Sequence, residues 1–229
     1  MLRWRLPVSF KMLIALLGAM VSVCPQLAQA GASLLVDDAA VTPRDRCQLE
    51  AWARTYAPGQ ELTAVPACNF DGTEFGLSVS QFGRPSHGPI LNLGAKRLFR
   101  DFDAHDWGVG MSVGATWSGE HGRLDGWNLN LPVSVALDSQ RRTIVHANVG
   151  WNHLRDRGGA LTGGLGLEQV LSERWTLLAE GYTDHTTTAQ LGLRRSLGEN
   201  ASLDVLVAHQ GGANAGPWLT LGFNVLLPD

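Results

Sequence analysis

From about residue 46 to the C-terminus, apolar side chains recur at every second position. In one stretch Trp107, Val109, Met111, Val113, Ala115 and Trp117 alternate with Gly108, Gly110, Ser112, Gly114 and Thr116. The next sets Trp127, Leu129, Leu131, Val133, Val135 and Leu137 against Asn128, Asn130, Pro132, Ser134 and Ala136. Successive side chains of a strand face opposite sides, so each stretch predicts a strand with one greasy and one small or polar face. Twelve such segments are predicted, at about 46–56, 60–69, 73–82, 89–101, 107–118, 126–138, 142–155, 160–172, 174–185, 187–198, 201–211 and 217–227.

A water-soluble sandwich also alternates, so the destination of the greasy face rests on other features. The less apolar face is rich in Gly, Ser, Thr and Asn and poor in long charged side chains. Segments of 10–13 residues exceed common globular strands and suit a tilted crossing of hydrocarbon. Trp107, Trp117, Trp127, Trp151, Trp175 and Trp218 sit near segment ends, as an interfacial girdle requires. The expected fold is therefore all-β: a closed antiparallel transmembrane β-barrel of about 12 strands over 46–229. Its even strand count brings both termini to the periplasmic side. Pro66 interrupts the second segment, so a ten-strand barrel with 60–69 as a loop is the alternative; Pro132 is expected to mark a bulge. The last segment carries Thr220-x-Gly222-x-x-Val225-x-Leu227, the spacing of a terminal strand that barrel-assembly machinery reads, although no terminal aromatic follows.

The first thirty residues have another character. Arg3, Arg5 and Lys11 precede the apolar run Leu13–Val23, and Ala28-Gln29-Ala30 supplies small residues for cleavage after Ala30. The run is too short for a spanning helix, and Val23 before Cys24 disfavours a lipoprotein site. A cleaved leader over 1–30 is expected, followed by an N-terminal segment over 31–45 that is either a plug in the barrel mouth or a periplasmic tail. Loss of the leader leaves 15 basic against 21 acidic side chains, which disfavours nucleic acid as a partner. Cys47 and Cys68 remain; an exported chain favours a disulfide between them, with metal ligation as the rival.

Near the start of the mature chain, Leu35-Val36-Asp37-Asp38-Ala39-Ala40-Val41 leads into Cys47-Gln48-Leu49-Glu50-Ala51-Trp52 and then Val65-Pro66-Ala67-Cys68-Asn69. In these motifs the chain resembles a family of small exported proteins labelled transporters of the meta pathway of phenol degradation. The resemblance covers about 35 residues and implies an outer-membrane barrel with a channel role; it does not argue for phenols as solutes.

If odd positions face lipid through most strands, the inward set includes Glu74, Lys96, Glu168, Glu180, Arg194 and Asp204, with Glu50 and Asp184 as additions. These charges either line a narrow aqueous path or pair across the lumen and fill it. The predicted external connections, at 57–60, 83–88, 119–125, 155–159, 185–187 and 212–216, are short. Short loops argue against an adhesin or phage receptor. The first functional expectation is passive flux of small solutes, with a closed structural or assembly barrel as the alternative. Outer-membrane lipid, the assembly machinery and a small solute are the expected partners.

A lipid-modifying barrel enzyme would need Ser, His and an orienting acid or amide. Neither His153 nor His209 is followed by the serine that such a motif requires. No enzyme, cofactor or metal is expected. The glycines of 158–166 lead into no helix and carry no Gly-Lys-Ser/Thr, so they are read as close packing or bending of the wall.

Overall fold

The computed structural model describes residues 33–56, 59–83, 88–119, 122–212 and 216–228. The leader expected over 1–30 lies outside the described residues, with the start of the N-terminal segment and the tips of four external connections. Among the described residues, twelve strands form where the alternation runs: β1 (Cys47–Tyr56), β2 (Gly59–Phe70), β3 (Thr73–Phe82), β4 (Ile90–Arg100), β5 (Trp107–Ser118), β6 (Arg123–Ala136), β7 (Thr143–Leu154), β8 (Gly158–Ser172), β9 (Trp175–Asp184), β10 (Thr186–Ser196), β11 (Ala201–Gln210) and β12 (Gly216–Leu226). Each pairs antiparallel with its sequence neighbours, and β1 pairs with β12 to close the barrel. Closure removes the sheet edges, whose unpaired backbone groups hydrocarbon would not tolerate.

The register fixes which way each side chain points. Along β11 and β12, Leu203, Val205, Val207, Leu219 and Leu221 are exposed, while Asp204, Leu206 and Thr220 between them are buried. Leu161 and Leu165 are 68% and 65% exposed on β8. Leucine and valine displayed in this way around a closed wall make a surface for lipid rather than water. Trp107 and Trp175 open β5 and β9 on the rim that carries the termini, with Arg100 over the Trp107 ring at 4.4 Å and Arg195 over Trp175 at 5.6 Å. Trp117, Trp127 and Trp151 lie toward the opposite rim, where Trp127 stacks on His153 at 5.9 Å. Trp218 does not belong to this girdle. It shares the inner parity of buried Thr220, and Arg54 lies over its ring at 5.2 Å. A segment-end position did not decide its face; parity did.

Pro66 leaves β2 intact, so the ten-strand alternative is not the structure. Pro132 produces no bulge. The β5–β6 ladder loses pairing between Val109↔Val133 and Ser112↔Asn130 but keeps its register, and the bulge falls at Thr116/Trp117 instead. Pro66 has the same effect between Ala64↔Val79 and Ala67↔Gly76. A missing N–H removes a ladder bond on one side of a strand without inserting a residue, so a gap rather than a bulge results.

Cys47 and Cys68 are directly paired across β1 and β2 and form a disulfide that closes a sequence separation of 21. Replacing both by serine is expected to remove about 3 kcal/mol in the chain-entropy account. The check is the temperature at which the folded gel band is lost: a clear drop is expected, and no drop would show that β1–β12 closure alone limits unfolding. At the β6–β7 turn, Asp138 accepts backbone N–H groups from Arg142, Thr143 and Gln140, which holds its carboxyl below the usual range.

Candidate functional site

Residues 33–45 precede β1 and form no strand, so their backbone N–H groups need partners that no ladder supplies. The inner wall provides them. Ser33 Oγ donates to Asp204 Oδ2 at 2.7 Å on β11, and the Ser33 carbonyl accepts from Gln190 Nε2 on β10. Leu35 and Val36 N–H both donate to the Glu180 carboxylate on β9, at 2.9 and 3.0 Å. Asn148 on β7 is paired twice with the Asp37 backbone, accepting its N–H and donating to its carbonyl, each at 2.7 Å. Ala39 N–H donates to Ser134 Oγ on β6 at 2.7 Å. Thr42 donates from both N–H and hydroxyl to Glu74 on β3, while Asn69 on β2 donates to the Thr42 carbonyl. The segment thus runs around the inside of the wall from β11 to β2 before entering β1.

The sequence-derived inward residues gather around this segment in two ionic groups. Lys96 on β4 reaches Asp37 at 2.7 Å and Asp38 at 3.2 Å, with Glu74 directly opposite across the strand pair. Arg194 on β10 bonds Asp204 through Nε and Nη2 at 2.8 and 3.1 Å, and its Nη1 lies 3.2 Å from Glu168. The two-toothed contact suits a planar guanidinium, which loses little freedom on making it. Glu50 is buried on β1, with Gln48 Nε2 at 3.4 Å from its carboxylate. Asp184 accepts from Asn152 Nδ2 at 2.8 Å.

Several glycines make room for the segment. A Cβ added to Gly164 would lie 2.8 Å from Val36 Cγ2, and one at Gly222 would lie 2.8 Å from Ser33. Gly166 carries Val36 in ordinary contact. These are close approaches between a wall and the chain beside it, a more specific role than bending the wall.

Toward the rim with the termini, Phe102 in the β4–β5 connection is fully buried against Ala39 and Ile144. Arg141 lies over its ring at 4.0 Å and donates to the Phe102 carbonyl at 2.9 Å. On the opposite side of the segment the lumen holds a vestibule of about 350 Å³, lined on the segment's side by Leu35 and Asp37. Its wall carries the amides of Asn92, Asn128, Asn130, Asn148 and Asn152. Ser112, Thr116, Thr162 and Tyr182 add hydroxyls. These residues were visible to sequence reading only as the small polar face; their common signal is even parity in the halves of β4–β9 nearer the external loops.

A serine, a histidine and a carboxylate also meet on the inner wall, without a local motif to announce them. Ser134 Oγ lies 2.8 Å from His146 Nδ1, and His146 Nε2 lies 4.0 Å from Glu168 Oε1. Acyl transfer needs an accessible nucleophile and a base oriented by a hydrogen bond. The second separation is beyond hydrogen-bond reach, and Ser134 is fully buried with its oxygen accepting the Ala39 N–H. Of the three, Ser134 holds the segment through the Ala39 N–H, and His146 holds Ser134. His153 stacks on Trp127, and His209 is exposed.

Solved structures share this architecture at low identity. The KdgM porin superposes with a TM-score of 0.65 at 10% identity, over 79% of this chain and 99% of the porin. The same porin in complex with disordered oligogalacturonate gives 0.62 at 12% identity, with the same coverage of the two chains. The COG4313 outer-membrane channel from Pseudomonas putida F1 gives 0.55 at 11% identity, over 83% of this chain and 98% of the channel. The shared feature is the fold of outer-membrane porins and channels. No curated protein sequence matches the chain. By sequence, residues 18–227 match the profile described as uncharacterised conserved protein UCP029691, and the chain belongs to that family.

Proposed function

We propose that the chain is a passive outer-membrane channel for small solutes, narrowed by residues 33–45 against its own wall. The leader read in residues 1–30 would deliver it across the inner membrane, and the terminal-strand spacing would present it to the assembly machinery. The observation that carries the reading is the polar vestibule of about 350 Å³ inside a closed wall whose outer face is leucine and valine. Likeness in fold to porins and channels supports it. Glu74, Lys96, Glu168, Glu180, Arg194 and Asp204 are assigned to holding the segment in place, and the amide wall is assigned to the solute. The meta-pathway resemblance at residues 35–69 adds no phenol to this reading, because amides and hydroxyls make up most of the vestibule lining.

The test is single-channel recording of the mature chain, refolded in detergent and checked by heat-dependent gel mobility. Small, brief, reproducible openings are the expected result. A folded but silent barrel would overturn the channel reading. It would favour the second one, a closed structural barrel, for which the hydrogen bonds from Ser33 to Thr42 along the wall are the supporting observation.

A further inference from the structure

We propose that the vestibule is a binding subsite for an uncharged, hydroxyl-rich solute of roughly hexose size, an inference that rests on the channel reading and names its solute class. Charge is the first argument. Among the described residues lining the cavity there is no Lys, Arg or His, and its one carboxylate, Asp37, is held by Lys96 at 2.7 Å. An acidic solute finds no free cation there, and a cationic solute would compete with an ion pair already made. Burying either charge without a partner costs more than burying a neutral polar group that finds hydrogen bonds.

The second argument is the kind of polar group. An amide offers both donor and acceptor, which a neutral hydroxyl can answer in either role. Asn128 lines the cavity and makes no hydrogen bond to another described residue, so its amide has bonding capacity that a solute can answer. Asn130 spends one donor on Asn148 at 3.3 Å, and Asn92 spends one on Thr116 at 2.8 Å, leaving both carbonyl oxygens facing demand for donors. Tyr182 also lines the cavity, an amphipathic ring of the kind on which the C–H side of a sugar can rest. The volume, about 350 Å³, is at the small end of pockets that hold organic ligands.

The experiment uses the folded mature chain in micelles and three size-matched probes: glucose, glucuronate and 6-amino-6-deoxyglucose. Ligand-observed NMR measures binding, and liposome swelling measures flux separately. Glucose is expected to bind more tightly than either charged probe. The pair Asn128→Leu and Asn130→Leu, checked for heat-dependent mobility, is expected to weaken glucose binding about tenfold, as loss of two ordinary hydrogen bonds would. Should that pair fail to fold, Asn128→Ser alone is expected to weaken it several-fold. Equal or tighter binding of glucuronate overturns the solute class, and binding indifferent to the substitutions overturns the site. Swelling without glucose binding leaves the channel reading standing and removes this inference; binding without swelling does the reverse.

Discussion

Deleting residues 33–45 is expected to raise single-channel conductance several-fold while leaving a barrel that still shifts on heating. The wall does not depend on the segment for closure. β1 pairs with β12 from Gln48↔Leu226 to Tyr56↔Trp218, and with β2 from Cys47↔Cys68 onward, all C-terminal to the deletion. What the segment occupies is space inside. Val36 sits against Gly164 and Gly166, Ser33 against Gly222, and Ala39 against Phe102 and Ile144. Removing these contacts opens a lumen whose wall is already polar, so water can enter and solvate Glu180, Asn148 and Glu74 in place of the backbone N–H groups they now accept or pair with. That exchange matters energetically, because a buried acceptor left dry costs about 1–3 kcal/mol whereas a hydrated one costs little. Conductance unchanged by the deletion, in a barrel shown to be folded, would mean that the segment does not limit the path.

Substitution at the glycines separates space-filling from hydrogen bonding in the same system. The Cβ of Gly164→Ala would contact both Val36 Cγ2 at 2.8 Å and Tyr182 Cδ2 at 2.9 Å, so the segment must shift unless both side chains give way. A shift is expected to bring conductance part of the way toward that of the deletion.

The wall was legible because lipid and lumen impose opposite chemistry on alternate residues, and that alternation is local. Strand ends fall within a few residues of those read from the pattern, and inward charges such as Lys96 and Asp204 follow from parity alone. Exceptions arise where another rule outweighed position. Trp218 lies near a strand end but on the inner parity, and Pro132 breaks a ladder bond without adding the residue a bulge needs. For residues 31–45 the sequence leaves plug and tail both open, for a physical reason. The segment has no period, and its partners are remote: Ser33 meets Asp204 across 171 positions and Val36 meets Glu180 across 144. The vestibule was hidden in a similar way. Asn92, Asn128 and Asn152 lie on three strands, and only the register brings their amides to one wall.

Lys96→Met is expected to loosen the segment more than any other single side-chain change. Its ammonium lies 2.7 Å from Asp37 and 3.2 Å from Asp38, and the Lys96 and Asp38 side chains are each only 8% exposed. Glu74, the cross-strand partner of Lys96, and buried Glu50 leave further carboxylates nearby. Breaking a buried pair by deleting one partner costs about 3–5 kcal/mol, because the surviving charge stays buried and unpaired. Asp37 is 32% exposed, so solvent relieves part of its share, and the lower end of that range is the better figure here. The barrel can avoid the cost by releasing Asp37 and Asp38 to water, which means detaching the segment. Longer and more frequent openings should follow, with conductance approaching that of the deletion. Adding Asp37→Asn and Asp38→Asn to Lys96→Met removes the two charges that the ammonium contacts directly while keeping the shape of both segment side chains. The triple variant should return toward wild-type gating, since the segment then carries no buried charge that detachment would relieve. If Lys96→Met gates like the wild type, or if the triple variant opens as freely as the single one, the ion pair is not what holds the segment. The hydrogen bonds that the wall makes to the segment, from Asp204 and Glu180 through Asn148 and Ser134 to Glu74, would then have to hold it.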